Sequence, residues 1–293
     1  MDGNLELNRK TYDRLYQLKD LCKVIEYENL TVLDLGVTSK LAPGRAEKLA
    51  PVIAESSMGL LGKVKVNEDG IKVDIKEHPG IATLGCQLAG WNIPTKSGSA
   101  LGSGPARIPA KKPRDIIEAV GYKETSEKTA LILETDRLPE QETLEGLPKA
   151  AGSGRMIMAA FRGDSRIGLV NVLARVVEMA LFRLNFLEYD VTRIESASGL
   201  VPMPEEGDAF SANDAIIYQG SVTIGTRGWD EKLSAKAVSS ASESYGQRFR
   251  TIYDAAGRDF YRIDPAVFAP AELKVTDLLS GRQYTFGKKH KLE

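Results

Sequence analysis

Residues 167–187 read IGLVNVLARVVEMALFRLNFL, and this run decides the class of fold. It fits a helix apolar on nearly every side, interrupted by Asn171, Arg175, Glu178 and Arg183. Such a helix belongs in a core, so its polar residues need partners or a cavity. Arg175 and Glu178 stand at i and i+3, a spacing that puts both on one side of a helix. An exposed pair of this kind contributes about 0.2–0.5 kcal/mol. Among Val176, Val177, Met179 and Leu181 the desolvation cost is far larger unless the ions are paired or face a polar cavity. A buried structural pair fits this pattern, and so does a catalytic pair in which arginine positions and tunes a carboxylate.

On the N-terminal side of this run, KTALILET (128–135) is a compact apolar strand, and the polar stretch 136–153 reads as a crossover or surface excursion. On its C-terminal side, DAIIYQGSVTIGT (214–226) reads as two strands around Gly220, and 244–256 as a helix. ELKVTDLLSGRQYTFG (272–287) reads as a hairpin. Near the start, an amphipathic helix is expected over 8–24, with Asn8 as its N-cap and Leu15, Leu18 and Cys22 on one face. VIEYENLTVLDLG (24–36) gives two strands about Glu28-Asn29, and KVKVNEDGIKVDI (63–75) a hairpin turning at Asp69-Gly70. Residues 80–110 are rich in Gly, Ser and Pro and read as irregular; a short helix follows Pro113 and stops at Gly121. Strands and helices intermix without a βαβ rhythm. The fold class is therefore α/β of an irregular, α+β-like kind. Two interleaved lobes are expected: 1–135, with the N-terminal helix and the Gly-rich loop, and 136–293, with the apolar helix.

Bulk composition narrows the chemistry. The 39 basic and 40 acidic residues give a net charge of −1, which is no footprint for nucleic acid. No apolar run is long enough for a bilayer, and the polar first residues resemble no secretory signal. Cys22 and Cys86 lack CxxC spacing and read as buried thiols in a reducing compartment, the cytoplasm. With only His78 and His290, no metal site is expected. The chemistry must rest on carboxylates, arginines and backbone amides.

Three further motifs bear on a site. In Gly102-Ser103-Gly104-Pro105-Ala106-Arg107 the glycines let backbone approach a ligand, and Arg107 offers a planar fork. A plain turn explains the same residues, and the spacing matches neither a Walker loop nor GxGxxG. Trp91, after Gly90, is either core or a ring to stack on a heterocycle. Ser211-Ala212-Asn213-Asp214, placed before a strand, makes a turn or offers Asn213 and Asp214 to a ligand.

In colinear order, TVLDLGV (31–37), AGW (89–91), LGSGPAR (101–107), GY (121–122), ARVVE (174–178), SANDAIIYQG (211–220) and YRIDPAVFAPAELKVTDLLSG (261–281) resemble the methenyltetrahydromethanopterin cyclohydrolase family. The resemblance covers nearly the whole chain. It implies two lobes that enclose a large pocket, a homotrimer, and hydrolysis of N5,N10-methenyl-tetrahydromethanopterin to the N5-formyl pterin. It implies no metal and no dissociable cofactor, since the pterin is the substrate, and neither a nucleic-acid nor a membrane partner. Carried over by position, Glu178 is the catalytic carboxylate, orienting and deprotonating water and then protonating the departing N10 amine. Arg175 holds that carboxylate in place. The implied substrate-binding residues are Gly102, Ser103, Gly104, Arg107, Trp91, Asn171 (where the family has glutamine), Asn213 and Asp214. At 161–169 the chain carries FRGDSRIGL where the family has small uncharged residues, and it ends in GKKHKLE rather than a hydrophobic tail. These departures motivate a second expectation, a diverged homologue that binds a pterin or related anion without hydrolysing it.

Overall fold

The computed structural model describes residues 4–96, 98–205, 207–258 and 262–292; Tyr261 of the C-terminal motif lies outside them. In chain order the first elements are α1 (Leu7–Tyr16), β1 (Lys23–Glu26), β2 (Leu30–Asp34), α2 (Arg45–Ser57), β3 (Gly62–Asn67) and β4 (Gly70–Ile75). A π-helical segment, Ile81–Gln87, leads to β5 (Trp91–Thr95), β6 (Gly98–Ser103), α3 (Arg107–Ala110), α4 (Arg114–Val120), β7 (Lys128–Glu134), α5 (Gln141–Ala150) and β8 (Arg155–Phe161). Then come α6 (Arg166–Leu173), α7 (Val176–Phe186), β9 (Ile194–Val201), α8 (Ala209–Gln219), β10 (Ser221–Thr226), α9 (Phe249–Ala255), β11 (Glu272–Asp277) and β12 (Gln283–Gly287). The mixture is α/β. It divides into two compact units: the chain up to Gly62 with Ile81–Asn171, and Lys63–Gly80 with the chain from Val172 onward.

The first unit is built on a six-stranded sheet in the order β1-β2-β8-β7-β6-β5. Its centre is parallel, with Leu30 opposite Met156 and Ala130 opposite Ile157. β2 is buried at every position and β7 and β8 at nearly every one, the pattern of parallel strands covered on both faces. On one face Leu30, Val32, Leu131, Leu133, Met156 and Met158 pack with Leu144 and Leu147 of α5. On the other lie α1 and α2. Antiparallel β1 on one side and β6 and β5 on the other flank the parallel centre.

The second unit holds a six-stranded sheet in the order β12-β11-β10-β9-β4-β3, in which β10 runs parallel to β11 and antiparallel to β9, while β11–β12 and β4–β9 are antiparallel. Its strands alternate buried and exposed residues, so one face carries the core, and α7 packs there against β9 and β10. Phe268 of the FAPA motif joins this core edge-on to Phe182 of α7 and to Phe249.

The expected hairpins β1–β2, β3–β4 and β11–β12 form, as do strand β7 and helix α4, which ends at Gly121 with φ 74°. Four readings are corrected. The SANDAIIYQ stretch is helix α8, not a turn and strand: Asp208 caps it by accepting from Ser211 N, in a reciprocal capping box. Residues 80–110 are regular, because the small residues there allow β5 and β6 to pair closely. The polar stretch 136–153 contains α5, whose apolar face is Leu144 and Leu147. The first helix ends at Tyr16, and Asn8 does not cap it. The Glu124 carboxylate instead accepts from Leu7 N and Asn8 N at 2.9 and 2.8 Å. Asn8 is buried, so its amide turns inward, Nδ2 donating to Pro105 O at 3.0 Å and Oδ1 accepting from Ala130 N at 3.3 Å.

Asp277, at the end of β11, predicts an acid response. Hydrogen bonds from Ser280 Oγ and Leu279 N, with Gly228 N behind them, take its carboxyl from the ordinary 3.8 down to about 2. A depressed folded-state value means the unfolded chain binds the proton first as pH falls. The stabilisation is therefore full above the ordinary value and is lost as pH falls through about 2. The thermal midpoint should drop over that interval, and Asp277→Asn should flatten the drop; an unchanged slope in the variant would remove Asp277 from the account.

Candidate active site

The apolar run 167–187 is two helices, not one. Arg175 N bonds to Val172 O, and the helical ladder restarts with Met179 N on Arg175 O. Arg175 becomes the N-cap of α7, with φ −77° and ψ 2°, and Glu178 falls in its first turn. A run that is apolar all round has no phase to lose at such a break, so hydrophobicity alone did not reveal it. The consequence is electrostatic: Glu178 lies at the positive end of the α7 dipole. Arg175 Nη1 is 3.7 Å from Glu178 Oε2, with the side chains 12% and 6% exposed. That is an ion pair at contact range and too long for a hydrogen bond. Further along α7, buried Arg183 donates to Lys236 O at 2.8 Å, and desolvation pulls its pKa down.

The first turn of α7 is seated by a glycine that sequence reading passed over. A Cβ on Gly199 of β9 would lie 2.5 Å from Val176 Cγ1 and 2.9 Å from Val177 Cγ2. A lone glycine inside ESASGLV signals such a close approach. Gly199→Ala must push against two stiff β-branched side chains and shift the turn that carries Glu178. The expected result is a kcat lowered about 10- to 100-fold, since misplacement near 1 Å costs that much. Steady-state kinetics on the folded variant checks it, and a wild-type kcat would refute this seating role.

In the first unit, Trp91, Gly102, Ser103, Gly104 and Arg107 are brought together, and each is engaged by the fold. Trp91 opens β5 within the core beside Ile93 and Ala100. It pairs with Gly102, where a Cβ would sit 3.0 Å from Trp91 Cβ and from its carbonyl oxygen. Gly104, with φ 98°, donates its N–H to Cys86 O at 2.7 Å, and Ser103 Oγ makes a long 3.5 Å bond to Ile132 O. Arg107 is 0% exposed. Its Nε donates to Lys112 O at 2.7 Å, and its Nη1 to Leu84 O, Gly85 O and Cys86 O at 2.9, 3.1 and 3.2 Å. The fork read from sequence is turned onto the end of the π-helical segment. Gly90 permits this, since a Cβ there would meet Arg107 Nη2 at 2.7 Å and Pro113 Cδ at 2.3 Å.

The remaining expected residues fall elsewhere. Asn213 and Asp214 are on α8 in the second unit: Asn213 Nδ2 donates to Ala209 O at 2.7 Å, and Asp214 Oδ1 accepts Phe249 N at 2.7 Å, capping α9. Asn171 lies on α6 in the first unit, 1% exposed. In the FRGDSR segment before α6, Arg162 forms a bidentate pair with Asp164 at 2.8 and 2.7 Å within its own loop. Ser165 Oγ accepts Gly168 N at 3.1 Å, and a Cβ on Gly168 would clash with Gly163 O at 2.4 Å, which fixes how the loop enters the helix. Among the described residues no group of three or more His, Cys, Asp or Glu is placed to hold a metal. Among the described residues no helix is long and apolar enough to cross a membrane.

The model of the Cyclohydrolase (MCH) family matches residues 10–292. A methenyltetrahydromethanopterin cyclohydrolase of Methanocaldococcus jannaschii is 36% identical, over 90% of this chain and 88% of its own length. The protein of the same name from Methanocella arvoryzae is 32% identical over 97% and 95%. That of Methylobacillus flagellatus is 32% identical over 88% and 83%. With its motifs colinear, its family match nearly end to end and a buried arginine–glutamate pair at the head of α7, the chain belongs to the methenyltetrahydromethanopterin cyclohydrolase family.

Proposed function

We propose that the chain hydrolyses N5,N10-methenyl-tetrahydromethanopterin to the N5-formyl pterin, with Glu178 as general base and acid and Arg175 as its positioning cation. The observation that carries this reading is the buried Arg175–Glu178 pair in the first turn of α7. The substrate carbon belongs to an amidinium, already electrophilic, so catalysis needs an oriented water and proton management rather than a strong nucleophile. Glu178 accepts a proton as the water oxygen bonds to the methenyl carbon. The C–N10 bond then breaks as the acid form of Glu178 delivers a proton to N10. The substrate's positive charge leaves as one proton released to solvent, which balances the step. Arg175 and the helix dipole stabilise negative charge at the carboxylate.

No dissociable cofactor enters this scheme. A homotrimer in the cytoplasm is part of the same proposal and is supported by the family membership. Asn171 is assigned to the substrate, whereas Trp91, Gly102 and Arg107 are assigned to building the loop. The experiment is loss of the methenyl absorbance band with purified protein at near-neutral pH. Enzyme-dependent loss that vanishes in Glu178→Gln is expected; no loss with folded protein would reject the reading.

A further inference from the structure

Along β9 the side chains alternate between the two faces of its sheet. Gly199 faces α7, where its missing Cβ admits Val176 and Val177, and it stands opposite buried Val73 of β4. Its neighbour Leu200 therefore points away from α7, opposite Lys72, and stays 52% exposed. There it lines a cavity of about 370 Å³ with Ile71, Lys72, Pro202, Gln219 and Lys289. Gly70 lets the start of β4 close onto the end of β9 beside this cavity, since a Cβ there would lie 2.1 Å from Val201 O. All of these residues belong to the second unit.

A single exposed leucine is ordinary, and so is a solvated lysine. Their combination in one concavity is not. Among the described residues neither Lys72 nor Lys289 has a carboxylate in ion-pair range, and the Gln219 side chain makes no hydrogen bond. Glu272, which feels the charge of Lys289, is held by Lys274 at 3.1 Å and by Ser221 Oγ at 2.7 Å. Asp69 is the one acid in the lining, so two cations outweigh it. Like charges that share a concavity concentrate anions there. The volume falls in the range of about 300–1,000 Å³ typical of small-molecule sites.

We propose that this cavity is an effector site for a small molecule that carries one oxyanion group on an apolar body. Lys72 and Lys289 meet the anionic group, the Gln219 amide donates to it, and Leu200 with Pro202 holds the apolar part. The role follows from β9. A ligand seated on Leu200 displaces the strand whose next residue, Gly199, seats the first turn of α7, and that turn carries Glu178. Occupancy is therefore read in kcat rather than KM, because Glu178 and the reacting carbon lie on the other side of the sheet. That readout rests on the cyclohydrolase reading, whereas binding does not.

The probe is anilinonaphthalene sulfonate, an oxyanion on an apolar ring system whose fluorescence reports binding. It is titrated into wild-type protein, into the double variant Lys72→Glu with Lys289→Glu, and into Leu200→Ser, all substitutions at exposed positions. Saturable binding by wild type is expected, with Kd raised about tenfold or more by the charge reversals and about threefold by Leu200→Ser. Saturating probe should lower the wild-type kcat about twofold or more at unchanged KM, an effect largely lost in the double variant. Equal Kd in the three proteins overturns the site, because the probe then sits elsewhere, and so does the absence of saturable binding. A bound probe that leaves kcat unchanged, or that raises KM alone, overturns the effector role. Failure of the parent reading is separate: wild-type protein without probe then leaves the methenyl band intact, while the series of Kd values still judges the cavity.

Discussion

Glu178→Gln is expected to lower kcat for methenyl-tetrahydromethanopterin hydrolysis about 10²–10⁴-fold, the range for loss of a positioned acid–base group. The thermal midpoint should stay close to wild type. The substitution keeps the shape and the hydrogen-bonding capacity of the side chain, and a glutamine in the first turn of a helix is well tolerated. It removes the one group on α7 that can take a proton from water beside Arg175, 3.7 Å away. The arginine is left without its countercharge but is 12% exposed, so some of that cost is met by solvent. Arg175→Ala is the milder companion: it leaves the base and loses its positioning. The measurement is single-turnover decay of the methenyl band on protein shown to be folded. A Glu178→Gln rate within about threefold of wild type, less than 1 kcal/mol of barrier, would remove Glu178 from the chemistry.

The class of fold was legible because its signals are local. Alternating residues with Asp69-Gly70 between them make a hairpin wherever they occur, and the apolar KTALILE can only be a covered strand. What was not legible depends on long-range contact. Asn8 looks like a cap because its use by Pro105 and Ala130, about a hundred residues away, leaves no trace in the local pattern. The Ile216-Ile217-Tyr218 run has strand propensity, and the capping box of Asp208 with Ser211 overrides it. The same holds for the site. Arg175 and Glu178 were visible as charges that an apolar run should not carry, but the break that makes Arg175 a cap and puts Glu178 in a first turn was not. Gly199, which seats that turn, left only an unexplained glycine in a strand.

Arg107 shows the same limit most sharply, and its replacement is expected to have the largest effect on stability. Its sequence context suggests a fork for an anion, but the structure turns that fork onto main-chain carbonyls. A π-helical segment leaves its last carbonyls without partners in its own ladder. Arg107 Nη1 meets Leu84 O, Gly85 O and Cys86 O, while Nε ties in Lys112 O from the far side of the loop. Gly90 and Gly104 keep the neighbouring backbone close enough for this. Arg107→Ala leaves several buried carbonyls unmet at about 1–3 kcal/mol each, so the loss should be about 3–5 kcal/mol. Against a typical total of about 5–15 kcal/mol that is enough to unfold a marginal protein near body temperature. Arg107→Lys should recover only part of the loss. An ammonium is a point charge, and it cannot serve carbonyls on two sides as a planar guanidinium does. Urea denaturation of the three proteins separates the clamp from the ligand fork. A clamp lowers the midpoint in the order arginine, lysine, alanine, and the KM of whatever folds changes little. A fork for the pterin would leave the lysine variant as stable as wild type and raise its KM. With the guanidinium 0% exposed, the first pattern is the one expected.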